Sequence, residues 1–242
     1  MIPKKIHYCW FGNNPKPTLA LKCIESWKKN CKDYEIIEWN EKNFDLQSNI
    51  YVKEAYEAKK WAFITDYVRL YVLYKYGGIY MDTDVEVIRP LDSFLQEEAF
   101  SGFESTTRVP TGIMAAEARQ PFFGKMLDRY KDKHFIKPDG TLDLTTNVTL
   151  ITEDCLKAGL ILNGKKQTVE GFTLYPAEYF CPKNPETKKL NITSNTYTTH
   201  HFDGSWIPKK RKLKNKVALL LGPQITDMII GIKRFIFSKK RN

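Results

Sequence analysis

The sequence predicts an α/β fold, and three observations carry that reading. Residues 5–39 run strand, helix, strand, which is the opening of a parallel sheet. A long helical pattern over 52–76 feeds through Gly77-Gly78 into a short apolar strand that ends on two acids. The chain has 242 residues, 42% hydrophobic and 27% charged, a globular rather than disordered balance. That length can bury a full-sized core without disulfides or structural metals.

Lys5 to Phe11 is an aromatic-rich strand stopped by the turn Gly12-Asn13-Asn14-Pro15. Leu21, Ile24 and Trp27 fall at helical spacing within 18–30, and a second strand follows at 34–39. Within 52–76, Ala58, Trp61, Ala62, Phe63, Val68, Val72 and Leu73 offer a broad core surface. Gly77-Gly78 ends that helix, because glycine accepts the left-handed conformation at low cost. Residues 79–81 and 85–88 are apolar or β-branched on either side of the acids, and Arg89-Pro90 closes the second of these segments. Short strands and loops are expected over 94–120, helices over 121–131 and 143–158, and late strands over 172–175 and 197–201.

Charge divides the chain in two. Residues 1–207 hold 27 Lys+Arg against 27 Asp+Glu, whereas 208–242 hold 11 against the single acid Asp227. A neutral body with a basic tail argues against a nucleic-acid groove and for a local contact with an anionic surface. The expected domains are therefore a catalytic body, 1–207, and a tail, 208–242. Ile225, Met228, Ile229, Ile232 and Ile236 share one helical face, with Lys233, Arg234, Lys239, Lys240 and Arg241 at its far end. This reads as an interfacial anchor, the alternative being a helix docked on the body. Pro223, Gln224 and Asp227 argue against a spanning helix, and no stretch reaches the roughly 18 uninterrupted apolar residues one needs. Five Cys, with no CxxC pair, read as buried reduced thiols of a cytoplasmic protein. The N-terminus lacks the apolar core of a signal peptide.

Four constellations can carry chemistry. Asp82-Thr83-Asp84 ends an apolar strand, and two carboxylates so spaced can address one divalent cation, with oxygen ligands suiting Mg²⁺ or Mn²⁺. Such a cation neutralises charge on a departing diphosphate; the plainer reading is two solvated turn acids. Asp66 and Arg69 share a helix face, either as an intrahelical ion pair or as a carboxylate and a fork of donors facing sugar hydroxyls. The pair His200-His201, followed by Ser205-Trp206, offers an imidazole to complete a coordination sphere, though a His pair at a strand end is more often structural. Trp10 is a core aromatic or a platform for a base.

Taken together these features resemble glycosyltransferase family 32, the DxD-containing family that includes α-mannosyltransferases of the yeast outer chain and many bacterial capsule and lipopolysaccharide enzymes. Ile2-Pro3-Lys4-Lys5-Ile6-His7-Tyr8-Cys9-Trp10-Phe11-Gly12 is similar to the family's "IPKxIHxxWxG". Trp61 to Arg69, with Tyr76-Gly77-Gly78-Ile79-Tyr80-Met81-Asp82-Thr83-Asp84, is similar to its central "A-x-x-(S/T)-D-x-x-R…YGGxYxDxD". His200-His201-Phe202-Asp203-Gly204-Ser205-Trp206 is similar to its closing "HHxxxSW". The central block also occurs in the glucosylating domains of large clostridial toxins.

The resemblance implies a GT-A type, Rossmann-like mixed sheet flanked by helices, a nucleotide-sugar donor and retention of anomeric configuration. Carried over by position, Asp82, Asp84, Asp66 and Arg69 would carry the chemistry. Trp10 would stack on the base, and Asp66 and Arg69 would hold donor-sugar hydroxyls. Tyr80 would line the nucleoside pocket and Asn147 would sit near the donor. Asp84 would ligate Mn²⁺ or Mg²⁺, Asp82 would touch metal or ribose, His201 or Ser205 would lie near the metal, and Trp206 near the diphosphate. Pro110 to Ala115 would border the acceptor. No carboxylate stands out as a nucleophile, so front-face substitution is expected, with the protein positioning and stabilising charge. The expected partners are a UDP-sugar and a saccharide acceptor, lipid-linked and met at the inner face of a bacterial plasma membrane. A toxin-like transferase acting on protein and a non-catalytic membrane-binding module are the alternatives. A haloacid-dehalogenase-like phosphatase fits Asp82-Thr83-Asp84-Val85 superficially, but the chain has no Gly-Asp dipeptide for that family's later acidic motif.

Overall fold

The computed structural model describes residues 1–184 and 187–204. The tail expected over 208–242 lies outside the described residues, and Met1–Phe202 forms one compact unit. Its strands are β1 (Lys5–Cys9), β2 (Glu35–Trp39), β3 (Gly78–Met81), β4 (Val85–Val87), β5 (Ala99–Gly102), β6 (Ile113–Ala116), β7 (Gln167–Val169), β8 (Phe172–Tyr175) and β9 (Thr198–His200). Its helices are α1 (Thr18–Asn30), α2 (Ile50–Glu57), α3 (Trp61–Tyr76), α4 (Pro121–Asp128), α5 (Asn147–Lys157) and α6 (Ala177–Phe180).

Seven strands form one mixed sheet in the order β2-β1-β3-β6-β5-β8-β7, and β4 pairs with β9 in a second, antiparallel sheet. Strands β2, β1 and β3 are parallel, β6 runs against both β3 and β5, and β5 is parallel to β8. Successive side chains of a strand face opposite ways, and the core divides accordingly. Tyr80, Met114 and Ala116 pack with α2, α3, α4 and α5, while Ile79, Met81, Ile113 and Ala115 pack with α1, β4 and α6. The expected mixed sheet flanked by helices is thus present, and its central strands are buried on both faces.

Helix α1 occupies its expected span, but Leu21 is exposed and the buried stripe is Ala20, Cys23, Ile24 and Trp27. The single helix expected over 52–76 is two. Asn49 caps α2 by accepting from the Tyr51 and Val52 N–H groups. The chain then breaks at Lys59, whose φ of 55° is left-handed and ends the helix. Helix α5 starts at Asn147 rather than 143, because Asp143 turns back to accept the Thr145 N–H and pairs with Lys133. Strand β7 and helix α6, both short, are additions to the expected elements.

The corner before the acids is built around His7. Gly78 has φ 108°, and a Cβ there would lie 2.8 Å from the Lys5 carbonyl and 3.0 Å from His7 Nε2, so only glycine lets β3 lie this close to β1. His7 is fully buried; its Nε2 donates to the Gly77 carbonyl at 2.9 Å and its Nδ1 accepts from Trp39 Nε1 at 3.1 Å. Burial pushes the ring down to about 4, although the Gly77 bond opposes this. A depressed histidine contributes stability that is complete above the unfolded value of 6.5 and is lost as pH falls toward 4. The span is worth about 3 kcal/mol. Asp66 runs the other way over the same range, because burial raises its carboxyl to about 7. The stability difference between the native chain and His7→Gln should therefore shrink by about 3 kcal/mol from pH 6.5 to pH 4, read by urea denaturation at both ends.

Candidate active site

Helix α3 lays Asp66 and Arg69 against the end of β3. Arg69 Nη2 lies 3.0 Å from Asp82 Oδ1 and 3.6 Å from Asp66 Oδ1. Its guanidinium stacks over the Tyr80 ring, 4.6 Å from the centroid, and the Tyr80 hydroxyl donates to the same Asp82 oxygen at 3.1 Å. Tyr80 and Asp82 are two apart on an extended segment and so share a side. Asp66 Oδ2 accepts the Asn147 backbone N–H at 3.1 Å, at the start of α5. Burial works against the Arg69 charge, but Asp82, Tyr80 and Asp66 outweigh it and hold the guanidinium protonated. Burial raises the Asp66 carboxyl, with Arg69 and the Asn147 N–H pulling the other way. The three side chains form an acid–base–acid row in which Asp66 and Arg69 are buried and Asp82 is partly exposed.

The second cluster joins the two sheets. Asp82, Asp84 and His200 each offer a ligand atom, and these atoms all lie within 4.8 Å of one another. The Asp82 N–H donates to the Gly112 carbonyl at 2.8 Å, and the Val85 N–H donates to the Asp82 carbonyl at 2.9 Å, closing the turn between β3 and β4. His200 stands opposite Val85 in the β4–β9 ladder, with Nε2 3.3 Å from Asp84 Oδ1. Burial disfavours the His200 imidazolium, but Asp84, Cys181 and Asp82 outweigh it and push the ring up to about 10. Two carboxylates and an imidazole are a donor set that can hold a divalent cation. The buried Nδ1 of His200 makes no hydrogen bond to a carboxylate or carbonyl among the described residues, and besides the two acids Cys181 acts on the ring.

The structure brings His200, not His201, to the acidic pair. Neighbours on a strand point apart: His201 turns its Nε2 to Glu86 Oε2 at 2.8 Å, while its N–H donates to the Asp84 carbonyl at 2.9 Å. Tyr80, expected to line a nucleoside pocket, is 1% exposed and lies beneath Asp82. Trp10 is half-buried; its Nε1 donates to the Asn14 carbonyl and Lys16 sits 5.7 Å from its ring. Asn147 is buried, with Nδ2 unpartnered among the described residues. Ser205 and Trp206 lie outside the described residues. All five cysteines are free and buried.

Sequence reasoning passed over Glu104. Burial raises its carboxyl, against the pull of His200 and Arg108. It lines a cavity of about 350 Å³ with Ser105, Glu178, Cys181 and Asn184. Cys181 bounds this cavity and also acts on the His200 ring. The signal was weak, because Glu104 follows a four-residue strand and no motif surrounds it.

Residues 17–101, which include Asp82-Thr83-Asp84, match the family described as "Glycosyltransferase sugar-binding region containing DXD motif". The mannosyl phosphorylinositol ceramide synthase CSH1 of Saccharomyces cerevisiae is 32% identical over 56% of this chain and 38% of its own length. Inositol phosphoceramide mannosyltransferase 3 of Schizosaccharomyces pombe is 30% identical over 50% of this chain and 35% of its own length. The chain thus spans well under half of these relatives. A glycosyltransferase involved in glycosylating the major capsid of PBCV-1 is 12% identical, covering 88% of this chain and 98% of that one, with a TM-score of 0.45. Over residues 17–101, about a third of its length, the chain is similar to glycosyltransferase sugar-binding regions containing a DXD motif.

Proposed function

We propose that this chain transfers a hexose from a nucleotide-sugar to a saccharide acceptor, with a divalent cation held by Asp82, Asp84 and His200. The observation that carries this reading is the continuity of the two clusters: Asp82 belongs both to the row with Arg69 and Asp66 and to the candidate cation site. A cation bound there would neutralise the charge that develops on a departing diphosphate. The chain's own residues do the rest. Arg69 holds Asp82 in place while Tyr80 fixes the same oxygen from below. Asp66 and Asn147 present an acceptor oxygen and an amide donor suited to sugar hydroxyls. The resemblance implies retention, and with none of these carboxylates assigned as a nucleophile, a retaining transfer proceeds on the face from which the diphosphate leaves.

A UDP-sugar is the donor favoured by the resemblance to the toxin core and by Trp10. The mannosyl transfer named for the two yeast relatives favours a mannose donor as a second reading. The cavity beside Cys181, with Glu104, Ser105, Glu178 and Asn184 in its lining, supports entry of a saccharide, and the basic amphipathic sequence pattern over 225–241 supports a lipid-linked acceptor at an anionic membrane surface. Among the described residues, no helix is long and apolar enough to cross a membrane. The deciding experiment is a hydrolysis screen across UDP- and GDP-sugars with Mn²⁺, with and without chelator. Release of nucleoside diphosphate from one donor class, abolished by chelation, is expected. Hydrolysis of none, or turnover untouched by chelation, sinks the reading.

A further inference from the structure

Imidazoles that hold metals usually give their second nitrogen to a carboxylate or carbonyl, which fixes tautomer and orientation. His200 does not: its buried Nδ1 has no such partner among the described residues. Beyond the Asp84 contact and the influence of Cys181, packing sets its ring. The Phe202 ring lies 4.1 Å away between centroids, tilted by 32°. The Cε1–Nδ1 edge lies against Gly112, where a Cβ would stand 3.1 Å from both ring atoms and 2.8 Å from Val85 Cγ2. Gly112 does not take left-handed backbone, so what requires glycine there is space rather than conformation. The same residue's carbonyl accepts the Asp82 N–H at 2.8 Å. One glycine therefore touches the backbone of one candidate ligand, just past the end of β3, and the side chain of another, in β9.

We propose that Gly112 is a positioning residue of the cation site, whose missing side chain sets where His200 stands relative to Asp82 and Asp84. The inference rests on the cation-binding reading above. A methyl group at this position must displace Val85, the His200 ring or both, because contacts this short are tighter than packed interiors tolerate. Where the ring gives way, it shifts by a few tenths of an ångström relative to the two carboxylates and meets a shared ion less well.

The test is Mn²⁺ affinity measured by electron paramagnetic resonance of the free ion, on the full chain, for the native protein, Gly112→Ala, His200→Ala and the double variant. Gly112→Ala should bind Mn²⁺ about 10–100-fold more weakly. In the His200→Ala background the same change should add little, since there is no ring left to displace. Circular dichroism confirms that each variant is folded. Should Gly112→Ala fail to fold, Gly112→Ala combined with Val85→Ala clears the 2.8 Å contact, keeps the 3.1 Å contacts with the ring, and is read the same way. Native-like Mn²⁺ affinity in Gly112→Ala, or an equal further loss in the His200→Ala background, overturns the inference alone. A native chain that binds no Mn²⁺ overturns the cation reading and this inference together.

Discussion

Arg69→Ala should destabilise the folded protein by about 3–5 kcal/mol. Its side chain is 9% exposed, and the guanidinium faces Asp82 and Asp66 at 3.0 and 3.6 Å. Taking it away leaves Asp66 without its cation in a pocket that burial already makes unfavourable for charge, and frees the partly exposed Asp82. It also removes the cation stacked on Tyr80, a smaller loss. Arg69→Lys restores a charge but not the fork that reaches Thr65, Asp66 and Asp82 together, so it should recover only part of the stability. Guanidinium denaturation measures both variants. A loss below about 1 kcal/mol, the range of solvated surface pairs, would show that water reaches the row.

Asp84→Asn should lower transfer at saturating Mn²⁺ by about a thousandfold or more, the effect expected when several kcal/mol of charge stabilisation is lost. Losing the charge beside His200 should cost stability, but the variant should stay folded. The Asp84 main chain already accepts the His201 N–H, and an asparagine oxygen can still accept from His200 Nε2. The measurement is kcat with the native donor across an Mn²⁺ titration, with Tm as the control. Activity within tenfold of native at high Mn²⁺ would remove Asp84 from the site. A parallel fall in Tm of many degrees would mark the His200 contact as structural.

Much of this arrangement was legible in the sequence, for physical reasons that differ from part to part. Helix α1 was readable because Ile24 and Trp27 repeat at the helical period, although the exposed Leu21 shows that period alone does not pick the buried stripe. The break between α2 and α3 was invisible. No glycine or proline marks it, and a lysine takes the left-handed position. Strand β7, Gln-Thr-Val, is too short and polar to announce itself. Asp66 and Arg69 could be paired from their spacing of three, whereas the link from Arg69 to Asp82 needs the tertiary fold. The pairing of Tyr80 with Asp82 was available in principle from strand alternation. The choice between His200 and His201 was not, because it depends on the register of β9 against β4, and nothing local sets that register.

The turn Asp82-Thr83-Asp84 is the hinge pin between the seven-stranded sheet and the β4–β9 pair, and the third candidate ligand comes from the far strand of that pair. A cation seated there would be a cross-link as well as a cofactor. Its binding energy would be shared between gripping a phosphate and clamping one sheet to the other, and by linkage anything that loosens β9 would weaken the grip on the ion. Affinity for the ion and cohesion of the fold then become two readings of one equilibrium.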